Sequence, residues 1–162
     1  MTGHTHETAP TQFVEANGIR FAYRRFGKTG GVPIVFNQHF QGTLDHWDPA
    51  VTNGLARTRE VILFNNTGDP LVSEQTAGAQ GAAIGKYLAY RDAPDYLDYL
   101  KTIHQPTLVA QGGNDVIIPT YNSYVLQQNL PNAQLILYPD ANHGSFYQYP
   151  ELFVEHAALF LS

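Results

Sequence analysis

The order of apolar and polar residues along the chain predicts alternating strands and helices. Short apolar runs rich in β-branched residues are typical of strands buried on both faces, as in parallel sheets. Such runs lie at residues 32–36, 59–64, 106–110 and 133–138. Helical patterns lie at residues 45–55, 121–130 and 150–161. This alternation predicts an α/β fold, with a mostly parallel sheet and helices on both faces.

The N-terminal region has the pattern of an antiparallel hairpin. Residues 12–16 and 19–26 flank Asn17-Gly18, and Asn-Gly between two such runs favours a two-residue turn. The residues before the hairpin, 1–11, are polar. We expect them to form a flexible tail in which His4 and His6 face solvent, because two histidines without further ligands rarely hold a metal.

Residues 71–103 differ in composition from the rest of the chain. Alanine and tyrosine are frequent there, and three glycines interrupt a helical pattern. We predict two helices separated near Pro94, because proline disfavours helical backbone at the residue before it. Ser73 is placed to cap the first helix. The whole region 12–162 is predicted to be one domain, with 71–103 as a helical, cap-like segment.

Composition and charge exclude several classes of function. The 162 residues carry a formal charge of −5 and no basic cluster, which argues against a nucleic-acid partner. The absence of cysteine excludes disulfides, thiolate metal sites and a cysteine nucleophile. No apolar run is long enough to span a membrane, and the N-terminus lacks the apolar core of a signal peptide. We therefore expect a cytoplasmic protein, without a membrane partner. No cofactor or metal is expected, since the sequence has no glycine-rich phosphate loop and no credible metal cluster.

Polar residues follow the predicted strands, at the edge where ligands collect in open α/β sheets. Asp115 follows the strand at 106–110, and His143 follows the strand at 133–138. One helix and one strand fill the stretch between them, so the two side chains should lie close enough to hydrogen-bond. A carboxylate that orients a histidine is part of the general hydrolytic triad. On spacing alone, a structural role for His143 remains the stronger alternative.

Much of the chain outside residues 69–103 resembles the α/β-hydrolase fold superfamily, which includes lipases, esterases, dehalogenases and cofactor-free haloperoxidases. The matching stretches are VEANGIRFAYRRFG, VPIVFNQHFQGTLDHWDP, REVILFNNTG, QPTLVAQGGNDVIIPTYNSYVLQQNLPNAQLILYPDANHGS and YPELFVEHAALFL. The most specific are GGNDVIIP, which resembles the acid loop, and ANHGS, which resembles the histidine loop. The resemblance implies a reduced three-layer α/β-hydrolase-like fold with Asp115 as the triad acid and His143 as the base.

The same resemblance suggests the surroundings of the site. The turn QHF resembles the one in which a backbone N–H, here that of Phe40, forms half of an oxyanion hole. His39, Trp47 and Phe146 are candidate pocket residues. For Trp47 and Phe146, ordinary packing in the core or cap is at least as good an explanation.

The superfamily's nucleophile turn is missing from this sequence. Members carry a G-x-S-x-G turn between the region matching REVILFNNTG and the cap, and no such motif occurs here. We therefore infer that a central block, with the nucleophile and the second oxyanion donor, is deleted. Ser73 is the first choice for a substitute nucleophile, since the deletion would bring its segment near the strand ends; capping a helix is its simpler role.

Two functions remain open. The first is a hydrolase that acts weakly on small carboxylic esters through the histidine–aspartate pair. The alternative is a catalytically inactive deletion form that serves as a scaffold or binding domain. The deletion would leave the strands at 32–36 and 106–110 with unpaired edges, which either pair with each other or are completed by a second chain. We predict a homo-oligomer formed through these edges.

Overall fold

The computed structural model describes residues 3–65, 74–90, 93 and 95–162. The chain divides into two compact units, residues 1–86 and 87–162. The strands are β1 (Gln12–Ala16), β2 (Ile19–Gly27), β3 (Ile34–Phe36), β4 (Glu60–Phe64), β5 (Thr107–Gly112) and β6 (Ala133–Tyr138). The α-helices are α1 (Pro49–Ala56), α2 (Glu74–Tyr90), α3 (Thr120–Asn129), α4 (Ser145–Gln148) and α5 (Pro150–Phe160). The single domain predicted over 12–162 stays a prediction.

The first unit is built on a four-stranded sheet in the order β1-β2-β4-β3. β2 pairs antiparallel with β1 and with β4, whereas β3 pairs parallel with β4. Asn17 and Gly18 have φ angles of 53° and 75°, and two positive φ angles are what a type I′ hairpin turn requires. The predicted hairpin is therefore confirmed. The buried side chains of Phe26, Val61 and Leu63 form the core of this unit together with Val51 and Leu55 of α1.

The second unit contains a two-stranded parallel sheet formed by β5 and β6. The crossover between the strands is α3, which packs against both of them. Gly112 at the end of β5 is in register with Tyr138 at the end of β6. The loops that follow the two strands therefore emerge side by side, at the edge where active sites of open α/β sheets form.

The predicted α/β class is confirmed, but the strand pairing is evenly mixed rather than mostly parallel. The reason is β2, which is antiparallel to both of its neighbours. The second helix expected within 71–103 is a short 3₁₀ helix, Asp98–Thr102. The helix expected at 45–55 is divided into a 3₁₀ turn, Leu44–His46, and α1, because Asp48 caps a new helix that starts at Pro49.

Within the N-terminal segment, His6 differs from the solvent-facing position that the polar sequence predicts. His6 is buried, its Nδ1 lies 2.9 Å from Thr52 Oγ1, and its backbone N–H donates to Asn53 Oδ1 at 2.8 Å. Burial, assisted by the charge of Arg24, lowers the pKa of His6 below 6.5. Long-range hydrogen bonds to α1 thus hold a segment that carries no hydrophobic pattern of its own.

Candidate active site

Asp115 lies in the loop after β5, and His143 lies in the loop after β6. Asp115 Oδ2 is 2.9 Å from His143 Nδ1. Because a carboxylate oxygen only accepts hydrogen bonds, Nδ1 carries the proton in the neutral ring and Nε2 keeps its lone pair. The Asp115 side chain is fully buried, whereas 49% of the His143 side chain is exposed. The buried carboxylate of Asp115 therefore orients the half-exposed ring of His143, in which Nε2 holds the free lone pair.

Four hydrogen bonds surround the Asp115 carboxylate. Oδ1 accepts from the backbone N–H groups of Ile117 and Ile118 at 2.8 and 2.9 Å. Oδ2 accepts from Gln111 Nε2 at 2.5 Å in addition to His143. Burial acts to raise the pKa of Asp115, but the hydrogen bonds from Ile118, His143 and Ile117 outweigh burial and lower this pKa from 3.8 to about 2. The carboxylate stays ionised at neutral pH and can stabilise an imidazolium beside it.

The acid loop and the histidine loop are held together by direct contact. Asn142 Oδ1 accepts hydrogen bonds from the backbone N–H groups of Val116, at 3.2 Å, and of His143, at 3.0 Å. Gly112 passes so close to the histidine loop that a Cβ there would lie 2.2 Å from the carbonyl oxygen of Asn142. The side chain of Asn142 thus ties the two loops together, and the close approach at Gly112 leaves no space for a side chain there.

Sequence reasoning missed Gln111 and Asn142. Gln111 lies just beyond the strand predicted at 106–110, although it is the fifth residue of β5 and is in register with Leu137. Asn142 directly precedes the predicted base. Both residues carry a carboxamide close to a predicted site residue, and that is the feature by which the sequence could have identified them. A carboxamide both donates and accepts hydrogen bonds and can therefore link two segments of the chain.

The predicted oxyanion turn follows β3 in the first unit. Gln41 has a φ of 57°, and its backbone N–H donates to Gln80 Oε1 of α2 at 2.9 Å. The turn is closed by a hydrogen bond of 2.9 Å from Gly42 N–H to His39 O. Within the described residues, the N–H of Phe40 donates to no acceptor. This observation is compatible with the predicted oxyanion role of Phe40, which stays a prediction.

The candidate pocket residues have identified neighbours. His39 is exposed, its Nδ1 lies 2.7 Å from Phe40 O, and its ring stacks on that of His46 at 5.4 Å between centroids. Trp47 packs edge-on against Phe36, with ring centroids 4.8 Å apart. Phe146 packs against Tyr147 and Phe153 in the second unit. These contacts suit ordinary packing for the tryptophan and the phenylalanine, and a pocket role for any of the three stays a prediction.

Among the described residues, no serine is well placed to act as the nucleophile. Ser73 lies outside them. Ser123 and Ser145 are both buried, and Ser162 donates its hydroxyl to Leu159 O at 2.8 Å. A buried hydroxyl is a poor nucleophile toward an external ester, which disfavours Ser145 in spite of its closeness to His143 in the sequence.

In the described part of the chain, no group of three histidine, aspartate or glutamate side chains is placed to hold a metal ion. None of its helices has the length and apolar character needed to cross a lipid bilayer.

Comparison with known proteins supports an α/β-hydrolase-like fold. A sequence profile described as the alpha/beta hydrolase fold matches residues 74–150. A 55-residue stretch is 44% identical to a pimeloyl-[acyl-carrier protein] methyl ester esterase of Nitrosomonas europaea, and it covers 34% of this chain but only 22% of that enzyme. The structure is similar to that of an alpha/beta hydrolase fold protein from Chitinophaga pinensis, with a TM-score of 0.76 and 28% identity over 98% of this chain and 99% of the other. A CIB-like hydrolase from Thermoplasma acidophilum has a TM-score of 0.69 at 16% identity, over 94% of this chain and 97% of its own.

Proposed function

We propose that this chain, which has an α/β-hydrolase-like fold, hydrolyses small carboxylic esters with His143 as general base and Asp115 as the residue that orients it. The observation that carries this proposal is the 2.9 Å contact between Asp115 Oδ2 and His143 Nδ1, which leaves the lone pair on Nε2 of a side chain that is 49% exposed. The name of the esterase that shares a 55-residue stretch supports the choice of ester as substrate class.

In the proposed reaction, His143 Nε2 takes a proton from an attacking hydroxyl or water as its oxygen bonds to the ester carbonyl carbon. The carbonyl oxygen gains the negative charge, which a hydrogen-bond donor must stabilise. The proton then passes from the imidazolium to the leaving alkoxide as the ester bond breaks. Where a hydroxyl of the chain has attacked, water repeats the two steps on the resulting acyl ester, which releases the acid and restores the hydroxyl. The loss of one oxyanion donor costs about 10²–10³ in rate, so slow turnover is expected without the missing central block.

A second candidate function is a scaffold or binding domain without turnover. The observation that favours it is the absence of any G-x-S-x-G turn in the sequence. In this case Asp115 and His143 are inherited and idle.

The two candidates differ in whether the chain holds an activated hydroxyl. Treatment with a fluorophosphonate probe followed by intact-mass analysis should give one adduct on the natural chain and none on His143→Ala. Peptide mapping should place the adduct on Ser73 if that serine is the substitute nucleophile. Absence of an adduct from both proteins excludes a serine mechanism, and ester hydrolysis by the same sample then separates a water-activating catalyst from a scaffold.

We also propose that the chain forms a homo-oligomer through its sheet edges. Among the described strand pairs, β3 is bonded to β4 alone and β5 to β6 alone. Light scattering at micromolar concentration should give at least the mass of a dimer. Val35→Lys, which puts a charge on β3, should shift the mass toward the monomer, since charges on edge strands oppose pairing. Val32→Lys, outside the strand, is the matched control, and a monomeric natural chain contradicts the proposal.

A further inference from the structure

We propose that Gln111 is a positioning residue for the histidine–aspartate pair, whose side-chain amide holds Asp115 Oδ2 in the orientation that binds His143 Nδ1. The inference rests on the proposed roles of Asp115 and His143. It assigns to a residue of β5 a role that acts through Asp115.

The geometry of the Gln111 amide carries the inference. Its Nε2 lies 2.5 Å from Asp115 Oδ2 and 3.1 Å from the carbonyl oxygen of Ile118. An amide nitrogen has two hydrogens, so a single side chain can donate to both acceptors at once. Gln111 thereby links the end of β5 to the acid loop on both sides of the carboxylate.

The two hydrogen bonds to Oδ2 are complementary rather than competing. A carboxylate oxygen has two lone-pair positions, and Gln111 and His143 each supply one donor to Oδ2. The backbone N–H groups of Ile117 and Ile118 both donate to Oδ1, so they cannot replace Gln111 as a donor to Oδ2. In a fully buried side chain, a vacated lone pair is costly, and the carboxylate is expected to turn toward another donor or admit water.

The expected consequence concerns which nitrogen of His143 carries the proton in the neutral ring. That choice is set by the hydrogen bond at Nδ1. Replacing Gln111 by methionine keeps a side chain of similar length and removes the donor. We expect the ratio of the Nδ1–H to the Nε2–H form to fall about fivefold, as loss of a hydrogen bond of ordinary strength implies.

The measurement is long-range ¹H–¹⁵N NMR of the histidine rings, at a pH for which the spectrum itself shows the neutral form of the ring. Gln111→Ala should give the same shift as Gln111→Met, and it serves if the methionine variant does not fold. Gln111→Lys keeps a donor of sufficient reach and should leave the ratio within about twofold of the natural chain. Gln105→Met, at an exposed glutamine outside the pair, is the matched control.

An unchanged ratio in folded Gln111→Met or Gln111→Ala overturns the proposal, and so does an equal fall in Gln111→Lys. The readout needs no turnover. A chain that hydrolyses no ester but shows the expected shift therefore contradicts the proposed function alone, whereas an active chain without the shift contradicts only the role of Gln111.

Discussion

Replacing Gly112 by alanine is expected to destabilise the second unit by about 3 kcal/mol or more. The new methyl group would lie 2.2 Å from the carbonyl oxygen of Asn142 and 2.4 Å from that of Ala141. Both obstacles are backbone atoms, so a change of rotamer cannot relieve the overlap. Overpacking in tight sites costs about 1–3 kcal/mol and occasionally more, and this contact lies at the severe end of that range. Urea unfolding followed by circular dichroism measures the difference in free energy.

Gly113 offers a matched control one residue away. A Cβ at Gly113 would meet Tyr138 O at 3.3 Å, which needs only a small adjustment. Gly113→Ala should therefore cost less than about 1 kcal/mol. Equal stabilities of the two variants would contradict the close approach of β5 to the histidine loop.

Replacing His143 by alanine is expected to lower kcat/KM for a short-chain carboxylic ester by at least about 100-fold. A positioned general base typically contributes 10²–10⁴-fold to the rate, and the variant retains no imidazole at the end of β6. Since 49% of the His143 side chain is exposed, its loss should leave the fold intact. Hydrolysis of a chromogenic acetate ester, corrected for the uncatalysed rate, is the measurement.

The control for this experiment is His104→Ala, which removes an exposed histidine of the same unit. Its rate should match that of the natural chain within about twofold. A similar rate in His143→Ala would show that the hydrolysis arises at another group, and the assignment of His143 as the base would then be wrong.

The fold was largely predictable because its strands are continuous apolar runs. Val61 and Leu63 in β4 are buried, as such a run implies, and the Asn17-Gly18 turn adopts the two positive φ angles that its sequence favours. The approach of Asp115 to His143 was predictable too, since residues that follow neighbouring parallel strands meet at one edge of a sheet.

Long-range polar contacts were not predictable in the same way. His6 is buried through Thr52 and Asn53, more than forty positions along the chain, and no periodic pattern encodes such pairs. Gln111 was missed for a related reason. Its role depends on hydrogen bonds from its side chain to Asp115 and Ile118 in the loop that follows β5. The alternation of apolar and polar residues does not reveal such bonds.

The histidine–aspartate pair and the two residues that hold it lie close together in the sequence, and this has an evolutionary consequence. Gln111, Asp115, Asn142 and His143 all belong to one stretch of the second unit, closed by β5 and β6. A continuous stretch of sequence can be inherited as one block. Recombination or loss of segments elsewhere can then change the residues that contact a substrate, while Asp115 and His143 keep their geometry. Selection can therefore explore new chemistry around this block without having to rebuild it.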